Sequence, residues 1–188
     1  MITTGYYDEV LIDYCKSLSF NLNFSFVKNP IYDKTNYIYS IYSAREELKD
    51  QDVIMMHGDL VFEKSVLEKV VNSSVSCMVT STTQPLPEKD FKAVVCGDKI
   101  QKVGIEFFEN AVTAQPLYKI KKEDWNVWLD KIIEFCENDN RKCYAENAFN
   151  QVSDKCNIFT LDVKDALCAE IDTPEDLAVM VEKIRNLK

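Results

Sequence analysis

Apolar residues recur at helical spacing between Tyr7 and Leu18, at Val10, Leu11, Tyr14 and Leu18, and then alternate at Leu22, Phe24 and Phe26 as far as Val27. The first pattern predicts a helix and the second a strand. Asn29-Pro30 interrupts both. From Asn36 to Lys49 the residues Ile38, Ile41, Tyr42 and Leu48 fall near one helical face, with Thr35 placed to cap it.

Val53 to Met56 is a short, wholly apolar run that ends in His57-Gly58-Asp59. Such a run suits a strand buried on both faces of a parallel sheet. Val66, Leu67, Val70 and Val71 then predict an amphipathic helix, and Val75 to Thr80 a further buried strand, which together make a βαβ unit. Phe91 to Cys96 and Lys99 to Ile105 flank Gly97-Asp98 and predict an antiparallel hairpin. Ala111 to Tyr118 reads as a strand, and Glu123 to Cys136 as a helix with Trp125, Trp128, Leu129, Ile132, Ile133 and Cys136 on its core side. Strands at Ile158 to Val163 and Leu167 to Ile171 precede a last helix, opened by an N-cap Thr173 and an N1 Pro174.

Strands and helices alternate along the chain without an internal repeat or a Pro/Gly/Ser-rich linker. The expectation is one α/β domain over residues 1–188, built on a mainly parallel, layered sheet with an inserted antiparallel hairpin. Composition agrees: 46% of the residues are hydrophobic and 28% charged, enough apolar mass for a core.

A net charge of -9 argues against nucleic acid or an anionic membrane surface as partner, since both are bound through clustered Lys and Arg. A small phosphate ligand remains compatible, because local cations, backbone N–H groups or a metal can hold it. The seven cysteines form no CxxC pair and are odd in number, which points to reduced thiols rather than to disulfides or zinc. No basic-then-apolar leader opens the chain, and no run reaches the ~18 apolar residues of a membrane helix, so a cytoplasmic location is expected.

Asp59 follows a strand and Gly58, the position at which open α/β sheets bind ligands. There it either holds Mg²⁺ or caps the helix beginning near Phe62 or Glu63. Glu170 and Asp172 lie two residues apart at another strand end and project to one face, where paired carboxylates repel unless a cation or proton lies between them. Asp172 is otherwise a turn residue before Thr-Pro. His57, the sole histidine, reads as a hydrogen-bonded structural residue and is assigned no chemistry. Tyr32, Tyr37, Tyr39, Tyr42, Phe107, Phe108 and Tyr118 either cage a quaternary ammonium group or pack in the core. No nucleophilic triad and no HExxH motif occurs, which leaves metal-centred chemistry.

Three segments carry a resemblance: Asn29-Pro30-Ile31-Tyr32-Asp33-Lys34-Thr35-Asn36-Tyr37-Ile38-Tyr39-Ser40, His57-Gly58-Asp59-Leu60-Val61-Phe62, and Ala169-Glu170-Ile171-Asp172-Thr173-Pro174-Glu175-Asp176-Leu177. Their order and spacing resemble the nucleotidyltransferase superfamily, most of all its bacterial phosphocholine and aminoalkylphosphonate cytidylyltransferase branch. The resemblance implies a sheet of nucleotide-diphospho-sugar transferase type. It implies Mg²⁺ on Asp59, Glu170 and Asp172, and makes Asn36, which otherwise caps its helix, a binding candidate beside nucleotide and acceptor; Gly58, by its lack of a side chain, lets a ligand approach the backbone closely. The implied reaction joins an acceptor phosphate or phosphonate oxygen to the α-phosphorus of CTP and releases pyrophosphate. It requires positioning and charge neutralisation rather than a protein nucleophile.

The family opens with a strand, a Gly-x-Gly-x-Arg-type loop and a Pro-Lys element, whereas Gly5, Gly58, Gly97 and Gly104 stand isolated here. The expectation is therefore an N-terminally truncated domain without its first βαβ segment of ~30 residues, with weak CTP binding and impaired or absent activity. Self-association into a homo-oligomer is expected to cover the exposed sheet region. The alternative is a non-catalytic transferase-fold module that acts by assembly with a partner.

Overall fold

The structure, a computed structural model, describes residues 1–19 and 21–186, apart from the side chain of residue 186. Strands β1 (Ile2–Thr4) and β2 (Phe26–Lys28) pair in parallel on either side of helix α1 (Asp8–Ser17). Of the apolar alternation at 22–27 only Phe26 and Val27 become strand, continued by Lys28, and these three are the residues paired with parallel β1. The Asn29-Pro30 break is an organised turn. Asn29 is buried, its Oδ1 accepts from the Ile31 N–H at 3.0 Å, and its Nδ2 donates to Thr35 Oγ1 at 3.1 Å and Ser40 Oγ at 3.2 Å. These bonds tie the turn to helix α2 (Tyr37–Ser43). The helix expected over 36–49 breaks at Ala44, and a short α3 (Arg45–Leu48) follows.

Six further strands form the main sheet: β3 (Val53–Met56), β5 (Cys77–Ser81), β6 (Lys92–Cys96), β7 (Lys99–Gly104), β8 (Ala111–Ile120) and β9 (Phe159–Asp162), in the order β3-β8-β5-β9-β7-β6. The α/β architecture stands, but the expectation of a mainly parallel sheet needs correction. β3, β5 and β9 do run in one direction, yet antiparallel β8 lies between β3 and β5, so among the described residues β5–β9 is the one parallel ladder of this sheet. A second correction concerns β3, which was expected to be buried on both faces. It pairs with β8 alone, so it is an edge strand, and Ile54 and Met56 are 46% and 56% exposed. The hairpin β6–β7 forms as expected. Gly97 takes φ +64° at the first central position of its two-residue loop, as a type II′ turn requires.

Side-chain alternation along the central strands sorts the core into two layers. Met78 and Tyr118 face helix α5 (Lys122–Glu137), α6 (Ala145–Phe149) and α2 in the larger cluster. Their neighbours Val79 and Leu117 face Val66 and Val70 of α4 (Lys64–Asn72) in the smaller one. Trp125 and Trp128 are core residues of α5, and their indole N–H groups donate to the carbonyls of Leu48 and Ala145, each at 2.9 Å. The seven cysteines are unpaired. Burial pushes the thiols of Cys156 and Cys168 up to about 12, so they are inert core residues.

Two short strands stand apart from the main sheet: β4 (Leu60–Phe62) and β10 (Cys168–Glu170) form an antiparallel pair. The last helix, α7 (Pro174–Asn186), starts with a reciprocal cap. Thr173 Oγ1 accepts from the Asp176 N–H at 3.1 Å, and Asp176 Oδ2 accepts from the Thr173 N–H at 2.8 Å. Replacing Thr173 with Ala is expected to cost about 1 kcal/mol. Urea denaturation checks this, and an unchanged midpoint would show that the cap contributes nothing. No described helix is long and apolar enough to cross a membrane.

Candidate active site

The β4–β10 ladder brings the acidic residues together. Glu170 pairs with Leu60, and the Ile171 N–H donates to the Asp59 carbonyl at 3.0 Å, so Asp59 lies beside the end of β10. Residues 60–62 form a strand, and α4 begins at Lys64 after an N-cap Glu63. This removes the helix-capping reading of Asp59. Asp172 belongs to the turn by its backbone, whose N–H joins the α7 cap by donating to Asp176 Oδ2 at 3.2 Å, and it also lines the cavity.

Asp59, Glu170 and Asp172 line one cavity of about 220 Å³, together with His57, Lys89, Asp90, Phe91, Ile105 and Tyr144. Four carboxylates thus face one lysine. Asp90 and Asp172 show the strain of this crowding. Desolvation first, and then the charges of neighbouring carboxylates including Glu170, raise both above the ordinary aspartate value. A bound cation relieves such repulsion.

One ligand atom each from His57, Asp59 and Glu170 lies within 4.8 Å of the others, so a divalent ion fits among them. Asp172 shares the cavity but is not one of these three. His57 follows β3 and is held by its N–H donation to the Pro116 carbonyl at 3.1 Å. Its Nδ1 lies 3.0 Å from Glu170 Oε1. Desolvation pulls the imidazole pKa down, but the Glu170 hydrogen bond and the charges of Glu146, Glu170 and Asp59 outweigh it, and the net shift is upward.

Gly58 has open space over it: a Cβ there would meet nothing within 4 Å. Asn36 caps α2, its Oδ1 accepting from the Tyr37 N–H at 2.7 Å, and it does not line the cavity. Its neighbour Tyr37 comes closer, with its ring centroid 4.6 Å from that of His57. Of the aromatic candidates, Tyr118 belongs to the core against Trp128, and Tyr39 and Tyr42 pack on the main cluster. The rings that line the cavity are Phe91 and Tyr144, 5.1 Å apart.

Lys89, Asp90, Phe91 and Tyr144 were not singled out from the sequence as site residues. No spacing signal marks them, since three sit in or beside an aperiodic loop and Tyr144 comes from the far side of α5. The loop is fixed from below by Lys92, whose fully buried side chain donates from Nζ to the carbonyls of Pro87 at 2.6 Å and Asp90 at 3.0 Å. Its ammonium also lies 4.4 Å from the Phe108 ring centroid.

Behind Tyr37 lies Glu146, buried and accepting hydrogen bonds from Tyr37 and, at 2.7 Å, from Tyr118. Desolvation raises its pKa despite these bonds, so the folded chain keeps a proton that the unfolded chain releases. The stabilising contribution is complete below the unfolded carboxyl value of roughly 4.3 and is lost as pH rises through the folded value. The expected result is that Glu146→Gln loses less stability than the parent between mildly acidic and neutral pH. Urea midpoints measured across that range test it, and parallel curves would contradict it.

No protein-family model and no curated protein matches the chain. Solved structures do. An inositol-1-phosphate CTP transferase from T. maritima superposes with a TM-score of 0.74 at 19% identity, over 96% of this chain and 73% of that one. A CTP:phosphocholine cytidylyltransferase from Streptococcus pneumoniae gives 0.73 at 18% identity, over 97% and 77%. A glucose-1-phosphate thymidylyltransferase from Bacillus anthracis, so described provisionally, gives 0.71 at 12% identity, over 95% and 73%. At these identities the likeness is one of fold, and the fold of this chain is that of the nucleotidyltransferases.

Proposed function

We propose that this chain is a metal-dependent nucleotidyltransferase that transfers CMP from CTP to a phosphocholine-like or aminoalkylphosphonate acceptor and releases pyrophosphate. The observation that carries this reading is the meeting of Asp59, Glu170 and Asp172 with Lys89 in one cavity of a nucleotidyltransferase fold. In the reaction an acceptor oxygen bonds to the α-phosphorus, and the bond from that phosphorus to the pyrophosphate oxygen breaks. Mg²⁺, the ion the resemblance implies, supplies charge neutralisation at the phosphates when bound. Asp59 and Glu170 hold the ion, with Asp172 beside them. Lys89, the one cationic side chain of the cavity lining, meets phosphate charge. Phe91 and Tyr144 offer ring faces, and Asp90 a negative charge, to the cationic head of the acceptor.

Within this cavity the ion and Lys89 are the groups that meet nucleotide phosphate charge. Pyrophosphate release measured with each common ribonucleoside triphosphate, against phosphocholine and an aminoalkylphosphonate, tests the proposal. Release with CTP and one such acceptor is the expected result. Release with glucose 1-phosphate alone would move the acceptor class to sugars, and no release with any pair would overturn the catalytic reading. The open edge of β3, with Ile54 and Met56 exposed, is the surface we assign to self-association. Light scattering showing only monomer at high concentration would contradict that assignment.

A further inference from the structure

We propose that His57 is a ligand of the cation in this cavity, and that the site therefore prefers a first-row transition dication such as Mn²⁺ or Zn²⁺ to Mg²⁺. The inference rests on the reading of this cavity as a metal site. Carboxylates and water suit Mg²⁺, whereas an imidazole nitrogen adds affinity for transition ions that Mg²⁺ does not share.

Four observations favour His57. The 3.0 Å between His57 Nδ1 and Glu170 Oε1 fits a hydrogen bond, and it equally fits two ligands at right angles on one ion, since bonds of ~2.1 Å then place their ends about 3 Å apart. A ligand atom of Asp59 lies within 4.8 Å of both, and Asp59 is exposed, so its carboxylate can close on the same ion. His57 Nε2 is buried without a partner, which leaves Nδ1, turned towards Glu170, as the donor atom. The ring has little freedom to turn away: its backbone is tied to Pro116, and Tyr37 packs against it at 4.6 Å with the planes at 70°.

The chain's single histidine makes the test unusually direct. Mn²⁺ is titrated into the full chain, prepared once with ordinary and once with ¹⁵N-labelled histidine, without nucleotide or acceptor. Pulsed electron paramagnetic resonance then reports any nitrogen bound to the ion, and a signal that follows the label can come only from His57. The expected result is one Mn²⁺ per chain with label-dependent nitrogen coupling, released by equimolar Zn²⁺ but by Mg²⁺ only at roughly tenfold or greater excess. His57→Gln is expected to lose the coupling and to weaken Mn²⁺ binding by roughly tenfold or more. Bound Mn²⁺ without histidine coupling overturns the proposal, as does failure of the unaltered chain to bind Mn²⁺. Because binding is read without turnover, a chain that coordinates Mn²⁺ through His57 but transfers no CMP would refute the catalytic reading alone.

Discussion

Asp59→Asn is expected to lower pyrophosphate release by roughly 10²-fold or more, with the fold intact. A carboxylate that helps hold the ion stabilises the departing charge by several kcal/mol, and ~1.4 kcal/mol corresponds to a factor of ten in rate. The neutral amide keeps the shape but removes the charge. Asp59 is exposed, its side chain makes no hydrogen bond among the described residues, and its backbone carbonyl still receives the Ile171 N–H. Stability should therefore hold or rise slightly, because one of four crowded carboxylates has been removed. Equal activity of the variant and the parent would remove Asp59 from the reaction.

The largest stability effect is expected at Trp128. Its side chain is fully buried and packs edge-on against Tyr118 at 5.6 Å and Trp125 at 5.9 Å, and lies 5.2 Å from Phe149. It also satisfies the Ala145 carbonyl, at the start of the helix that carries Glu146. Trp128→Ala should cost about 3–5 kcal/mol through lost burial and the cavity left behind. Because α6 loses its anchor, the hydrogen bonds of Tyr37 and Tyr118 to Glu146 should loosen as well. Chemical denaturation monitored by circular dichroism checks the first effect. A loss below about 1 kcal/mol would mean that the neighbouring helices close the gap.

The parts of the fold legible in the sequence were those specified by local chemistry. The α5 stripe from Trp125 to Cys136 is a periodic signal over about three turns, the Gly97-Asp98 hairpin depends on one positive φ, and the Thr173 cap is a pattern of four residues. The strand β3 misled because an apolar run of four residues encodes no information about what lies on either side of it. Whether it is central or at the edge depends on β8, more than fifty residues later. The insertion of β8 against the direction of β3 and β5 is likewise a long-range fact, invisible to periodicity.

The candidate site divides in the same way. Asp59, Glu170 and Asp172 were visible because each sits at a strand end, and the β4–β10 pairing supplied the adjacency that spacing alone leaves open. His57 has the hydrogen bond expected of a structural histidine, and its partner is Glu170 of the acidic group. The cavity wall from Lys89 to Phe91 depends on the buried ammonium of Lys92, a placement that residue type argues against. Asn36 takes the capping role that was its alternative, and its neighbour Tyr37 packs against His57.

The central claim, nucleotidyl transfer at this acidic cavity, is tested most directly by weighing the product. The chain is incubated with CTP, phosphocholine and a divalent ion, and the mixture is analysed by mass spectrometry beside an identical reaction of Asp59→Asn. The expected result is a cytidine diphosphate-linked choline species that requires the ion and falls by roughly 10²-fold or more in the variant. Absence of any nucleotidyl-linked product from the unaltered chain, across the nucleotide and acceptor panel, would contradict the account.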